Sequence, residues 1–457
     1  MPISPSRKIA FEVLRRVEAE GAYASDVLHS ELGARVTPAD AALATEIALG
    51  VLRRQRLLDF LLDRHLKKPI ARLDLAVTIA LRMGLYQLRF LERVPARAAV
   101  HESVELVKQA RKASAATLVN AVLRRAQEES RLAAETFIPP GAPPAERLAI
   151  LHSHPTWMVE RWLARLGEPR TIALLEANNR APRQACLLQT EILSREEILR
   201  TLESARMHIE PGSLLSDAFA VSGGSPSRTD AFRKGWLSIQ DEASQAVPLL
   251  LDVRPGDRVL DLCAAPGGKT PPLVRAAGDK GFVIAADHHA HRVRAMRAQF
   301  ERLALVGINL IELDAAKPLP FGIQFQRILV DAPCSGTGTL SRHPEIRWRL
   351  KPEQLAELHK LQTAMLTQAL SQLAPGGRLV YSTCSIEPEE NEEVVASALQ
   401  STPGMRRVSR QNAEQALEGR LAPNVEAASL FDDSGQFRTL PGEHSTDGFF
   451  AALLEKL

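Results

Sequence analysis

Two cysteines stand where a thiol could act as a nucleophile. Cys334 lies in Asp331-Ala332-Pro333-Cys334-Ser335-Gly336, directly after the apolar run Arg327–Val330. Cys384 lies in Ser382-Thr383-Cys384-Ser385, directly after the run Arg378–Tyr381. The thiolate is the attacking form of cysteine, and a covalent intermediate splits one hard step into easier ones. Either residue alone would read as a buried small hydrophobe. Two of them at neighbouring strand ends, each flanked by small polar residues, point to chemistry. The other two cysteines, Cys186 and Cys263, complete a spacing of 77, 71 and 50 residues with no CxxC pair. Neither a zinc site nor a disulfide framework is expected, and no metal is predicted.

A second group sits upstream. The run Val259–Leu262 leads into Cys263-Ala264-Ala265-Pro266-Gly267-Gly268-Lys269-Thr270, whose paired glycines let a ligand approach the backbone between a strand and a helix. The spacing is neither GxGxxG nor that of a P-loop, so a phosphate grip is poorly supported. Asp287 follows Gly268 by 19 residues at the end of a second strand-like run, where a carboxylate can accept from both hydroxyls of a ribose. Asp314 and Asp331 end the third and fourth runs. One such aspartate would read as a turn residue; three at successive strand ends beside a Gly-Gly loop favour a nucleoside ligand. Without a pyrophosphate grip, S-adenosylmethionine fits better than NAD. The acidic run Glu387, Glu389, Glu390, Glu392 and Glu393 reads mostly as a solvated helix start, where negative charge suits the dipole.

The elements that must position these residues are legible from patterning. Arg258–Leu262, Phe282–Ala286, Asn309–Leu313, Arg327–Val330 and Arg378–Tyr381 are short apolar runs separated by helical patterns, which predicts a parallel sheet in a Rossmann-like α/β domain. Residues 1–130 read as all helix. Thr37, Pro38 and Asp40 form an N-cap, first-turn proline and acidic third position, and further helices are expected over about 73–91, 98–110 and 115–129. The proline-rich stretch Phe137–Glu146 is expected to be a linker. Beyond it come a helix at His154–Leu166, a strand at Ala185–Gln189, a helix near Ser194–Arg206 and a loop at Val221–Ser227. Residues 1–130 hold 21 Lys+Arg against 15 Asp+Glu in a 457-residue chain of net charge +3, a balance that hints at an acidic partner but does not decide function. With no export signal and no run of 18 apolar residues, a cytoplasmic protein away from membranes is expected.

The strings DLCAAPGGKT, DAPCSGTG, RHPEIRW (Arg342 to Trp348) and STCSIEPEENE resemble the signature set of the Nol1/Nop2/Sun family of RNA 5-methylcytosine methyltransferases. WLSIQDEAS, SHPTWMVERW and the closing TDGFFAALLEKL resemble its flanking segments. The first 130 residues, with GVLRRQRLLDFLL and LVNAVLRRA, resemble a NusB-like RNA-binding domain. The combination resembles the Sun/Fmu (RsmB) subgroup, enzymes that methylate cytosine 967 of 16S rRNA. The resemblance implies a multidomain chain: an all-α NusB-like domain over 1–136, a small α+β domain over 147–235 and a class I methyltransferase domain over 236–457. It implies that Cys263, Ala264, Ala265, Pro266, Gly267, Gly268, Lys269, Asp287, Asp314 and Asp331 bind S-adenosylmethionine. Cys384 is the implied nucleophile, Cys334 assists product release, and Asp331 can hold a proton at the base's N3 edge. The partner is RNA, 16S rRNA in the first instance, and the enzyme is expected to be a monomer. His289 stands where the family often carries a second acid. A tRNA or 23S rRNA target, or a non-catalytic NusB-like factor, are the rival readings.

Overall fold

The structure is a computed structural model that describes residues 3–33, 36–189 and 193–457. The chain divides into two compact units: Met1–Ala181 with Leu340–Arg349, and Pro182–Thr339 with Leu350–Leu457.

The first unit is helical: α1 (Pro5–Glu20), α2 (Ala24–Glu31), α3 (Pro38–Asp63), α4 (Leu75–Phe90), α5 (Ala96–Gln109), α6 (Ala116–Glu128), α7 (Pro144–Leu151), α8 (Thr156–Leu166) and α9 (Glu168–Ala177). The expected start of α3 is present: Thr37 Oγ1 accepts from Asp40 N at 3.1 Å, with Pro38 at the first helical position. Eleven of the sixteen residues of α4 are buried, so it runs through the core. At Gly50 of α3 a Cβ would lie 2.0 Å from Tyr86 Cζ, so only glycine lets α3 and α4 approach this closely.

Leu340–Arg349, although it follows the Cys334 loop in sequence, is part of this helical unit. Arg347 is fully buried there and donates to Ser153 O at 3.1 Å, Asn179 Oδ1 at 3.0 Å and Asn178 O at 3.0 Å. Arg53 donates to Ser341 O, Trp348 Nε1 to Leu52 O, and Arg349 to Val17 O and Ala22 O. Burial pushes the Arg347 guanidinium well down from its ordinary value, and the neighbouring Arg53 and Arg54 add to that. Carbonyl oxygens hold its two terminal nitrogens in place of a carboxylate, while its Nε has no hydrogen-bond partner among the described residues. α7–α9, of which α8 and α9 lie within the 147–235 expected for a middle domain, and Leu340–Arg349 fall in the first compact unit.

The second unit carries two sheets. The smaller is antiparallel, ordered β2 (His208–Pro211), β3 (Phe219–Ser222), β1 (Gln184–Leu188), β4 (Leu237–Ile239). Helix Arg195–Ser204 accompanies it and opens on a capping box from Ser194 and Glu197. The loop expected at Val221–Ser227 is shorter than that, because Val221 and Ser222 pair with Ile209 and His208.

The larger sheet is mixed. β7 (Ile308–Glu312), β6 (Phe282–Asp287), β5 (Arg258–Asp261), β8 (Phe325–Asp331) and β9 (Leu373–Thr383) lie parallel in that order. β12 (Phe449–Lys456) joins β9 antiparallel, and β10 (Met405–Arg407) and β11 (Phe437–Thr439) pair with β12. The connections from β5 go to β6 on one side, while β8 flanks it on the other. That reversal opens a crevice at the carboxyl ends of β5 and β8, the place where open α/β sheets take ligands.

Candidate active site

β5 ends at Asp261, and the chain leaves the sheet through Leu262 to Lys269 before helix Thr270–Ala277. Ala264 N donates to Ala286 O at 2.9 Å, which ties the loop to β6, and Gly267 N donates back to Ala264 O at 2.7 Å. Gly267 has φ +98°, and a Cβ there would lie 2.9 Å from Phe300 Cε1. Glycine is therefore required twice over, by backbone sign and by space. A Cβ on Gly268 would stand 3.1 Å from Gln240 Nε2, so Gln240, just past β4, backs the loop.

Asp287 is buried at the end of β6 and accepts from His289 N at 3.1 Å. His289, at the position where a second acid was of interest, precedes helix Ala290–Arg302 without capping it by its side chain. Asp314 behaves as a turn carboxylate. It accepts from Ala316 N and Lys317 Nζ, both at 3.1 Å, and these contacts lower its pKa. Asp331, at the end of β8, receives Lys269 Nζ at 2.5 Å on one oxygen and Ser382 Oγ at 2.7 Å on the other. The cofactor loop and the two cysteine-bearing strand ends are therefore joined through Asp331. Burial pushes the Cys263 thiol upward, and the fields of Asp261, Asp331 and Asp287 push it further, so it stays protonated.

The parallel pairing of β8 and β9 sets Asp331 opposite Ser382, and the two following loops bring Cys334 Sγ within 3.3 Å of Cys384 Sγ. Cys334 is held in the thiol form by its contact with Cys384, by burial and by the charge of Glu390. Around the pair, Gly338 N donates to Cys384 O, Thr383 Oγ1 to Asn391 Oδ1, and Asn391 Nδ2 to Ser385 O.

Glu392 and Glu393 open helix Glu392–Ser401 as expected, but two members of the acidic run are buried instead. Glu387 and Glu390 are 1% and 0% exposed, and Glu390 accepts from Ser335 N at 2.7 Å, Ser335 Oγ, Ser385 Oγ at 2.5 Å and Gln362 Nε2 at 3.0 Å. Period-based reading missed this residue because a glutamate before a helix is ordinarily exposed. The available signal was that each cysteine is followed directly by a serine. Among the described residues no group of three or more His, Cys, Asp or Glu side chains is arranged to hold a metal, and no helix is long and apolar enough to cross a membrane.

The chain is similar to known proteins. Residues 248–455 match the family described as 16S rRNA methyltransferase RsmB/F, residues 4–128 the NusB family, and residues 154–227 the RsmF/B-like ferredoxin-like domain. The probable ribosomal RNA small subunit methyltransferase B of Bacillus subtilis is 34% identical over 98% of both chains. The ribosomal RNA small subunit methyltransferase B of Pseudomonas putida is 36% identical, over 93% of this chain and 92% of its own. Among solved structures, PH0851 superposes with a TM-score of 0.81 at 26% identity, covering 100% of both chains. A methyltransferase homologue from Pyrococcus horikoshii reaches 0.57 at 27% identity over 69% of this chain and 100% of its own.

Proposed function

Since this chain belongs to the ribosomal RNA small subunit methyltransferase B family, we propose that it methylates C5 of cytosine 967 in 16S rRNA, using S-adenosylmethionine and a covalent bond from Cys384 to C6 of the base. The observation that carries this reading is the pair of thiols 3.3 Å apart at the ends of adjacent strands, joined through Asp331 to a loop that only glycine can build. The donor set fits the cofactor: the Gly267–Gly268 turn carries the loop off the carboxyl end of β5, and Asp287 ends the neighbouring β6 where a ribose would be held. When bound, S-adenosylmethionine supplies an electrophilic methyl on a sulfonium.

The residues of the chain supply the rest. C5 of cytosine is a weak nucleophile until the Cys384 thiolate adds to C6 and makes the ring enamine-like. The C5 so activated is the atom that would take the methyl from bound S-adenosylmethionine, leaving S-adenosylhomocysteine. The C5 proton leaves to water, and the C6–sulfur bond breaks as the Cys334 thiol, 3.3 Å away, gives its proton to the departing Cys384 sulfur; the proton released from C5 restores Cys334. Asp331, steadied by Lys269 and Ser382, would hold a proton at the base's N3 edge. Paired or stacked cytosine hides C6, so the target must be unpaired or flipped out.

Bisulfite sequencing of 16S rRNA from a strain lacking this gene tests the target. Protection at cytosine 967 should disappear and return with the intact gene. Protection lost in tRNA or 23S rRNA instead would assign the enzyme to another substrate. Cofactor binding has its own test: Asp287→Ala should weaken adenosylmethionine affinity by about 1–3 kcal/mol, the scale for hydrogen bonds to a charged group. Unchanged affinity in calorimetry would remove Asp287 from the site.

For RNA binding we favour the face between α5 and α6, where a cavity is lined by Arg97, His101, Lys108 and Arg124. Arg97 has no ion-pair or hydrogen-bond partner among the described residues, and Arg124 meets only Asn120 Oδ1 on its own helix. Removing residues 1–130 would strip Leu340–Arg349 of Val17, Leu52 and Arg53, so replacement is the better test. The double change Arg97→Glu and Arg124→Glu should lower affinity for an rRNA fragment and reduce the slope of log affinity against log salt by roughly 1–2 units. Adenosylmethionine affinity should stay unchanged. An unaltered salt slope would place the RNA elsewhere.

A further inference from the structure

We propose that Glu390 is a positioning residue that holds the two thiols in register, acting through the serine that follows each cysteine. Its Oε1 takes two N–H donors, Ser335 N at 2.7 Å and Gln362 Nε2 at 3.0 Å. Its Oε2 takes two hydroxyls, Ser335 Oγ and Ser385 Oγ, which are themselves 3.2 Å apart. Ser335 adjoins Cys334 and Ser385 adjoins Cys384, so one side chain spans both loops. A carboxylate is the side chain with acceptor sites enough for four donors and no proton of its own to place among them.

Glu390 is itself fixed on several sides. Tyr381 OH donates to Glu390 O at 2.7 Å, tying the turn Pro388–Glu390 to β9. Gln362, which also donates to Pro333 O at 2.9 Å, ties it to the residue before Cys334. Thr337 Oγ1 lies 3.2 Å from Ser385 Oγ and accepts from Ile386 N, so the two loops are also laced beyond the thiols. The side chain is fully buried, which costs free energy unless each polar atom finds a partner. Here each oxygen finds two. The negative charge has a second effect: it opposes ionisation of Cys334. One residue thus sets the spacing of the thiols and favours the protonated form of one of them.

The catalytic meaning of this spacing rests on the covalent mechanism proposed above, but the spacing can be read without RNA or turnover. Phenylarsine oxide condenses with two neighbouring thiols, forming two arsenic–sulfur bonds and releasing one water, and its affinity reports how close the sulfurs are held. The full-length protein should bind it through Cys334 and Cys384. Glu390→Ala should weaken that binding at least ten-fold. Glu390→Gln should restore most of it, because the amide can donate to the two serine hydroxyls, which either accept or donate. In methylation assays Glu390→Ala should lower kcat about a hundred-fold while KM for rRNA and adenosylmethionine affinity move less than two-fold. Should Glu390→Ala not fold, Ser385→Ala keeps the carboxylate and frees only the Cys384 loop, and it should weaken arsenical binding several-fold. Folded variants that bind the arsenical like the wild type overturn the proposal. So does an alanine variant whose loss lies in substrate affinity and not in kcat. If the arsenical results hold while Cys384 proves dispensable, the spacing role stands and the covalent mechanism falls.

Discussion

Cys384→Ala should leave a protein that binds adenosylmethionine and RNA but transfers no methyl and forms no bond to RNA. Loss of the nucleophile removes the covalent route entirely, so the rate should fall by several orders of magnitude, the scale seen when an enzyme's nucleophile is deleted. Cys334→Ala should differ in kind. Its neighbour can still add to C6 and C5 can still take the methyl, but elimination loses its partner 3.3 Å away. The variant should therefore accumulate as a protein–RNA adduct that survives denaturing electrophoresis. The spacing of the sulfurs alone does not rank them, because both lie at the same edge of the sheet. The ranking rests on the family resemblance. An adduct trapped by Cys384→Ala and absent from Cys334→Ala would reverse the assignment. Methyl transfer surviving both substitutions would end the covalent mechanism for this chain.

Much of the frame that positions these thiols was legible because it depends on local signals. Short apolar runs marked the parallel strands, and β5, β6 and β8 begin and end within a few residues of the runs that announced them. α3 begins at the expected cap because the Thr37 side chain and the Pro38 ring act within one turn. What stayed hidden is long-range. Leu340–Arg349 carries three arginines and a histidine, residue types that a local reading leaves at the surface. Its Arg347 is instead buried among carbonyl oxygens contributed by residues over a hundred positions away. The candidate site divides in the same way. Its reactive residues stood out by type and by their place after strands, whereas Glu390 carries its meaning only once two loops 50 residues apart are brought together. Asp314, a candidate by its strand-end position, has its carboxylate engaged by its own turn, a contact that only the folded loop reveals.

Asp261→Asn should stabilise the protein at neutral and alkaline pH and have little effect in acid. Asp261 ends β5 directly beneath the cofactor loop and is fully buried. Thr270 Oγ1 donates to its Oδ2 at 2.8 Å, while Oδ1 has no hydrogen-bond partner in the structure. Burial pushes the carboxyl up to about 7; Thr270 and Lys269 pull against this, and the fields of Asp331 and Asp287 add to it. In the unfolded chain the group titrates near its ordinary value of 3.8. The folded state therefore holds a proton that the unfolded state releases first. Below about pH 4 both states are protonated, and the full contribution of the neutral carboxyl to stability is present. As pH rises from there towards 7, the unfolded chain ionises and gains on the folded one by about 1.4 kcal/mol per pH unit. Above 7 the loss levels off at about 4 kcal/mol. Asparagine has the same shape, keeps an oxygen for Thr270 and carries no proton to lose. Urea unfolding of wild type and variant should agree within about 1 kcal/mol at pH 4.5 and diverge by about 3–4 kcal/mol in favour of the variant at pH 8. A variant less stable than wild type at pH 8 would mean that Asp261 is ionised and paired in the folded protein, with Lys269 shared between it and Asp331.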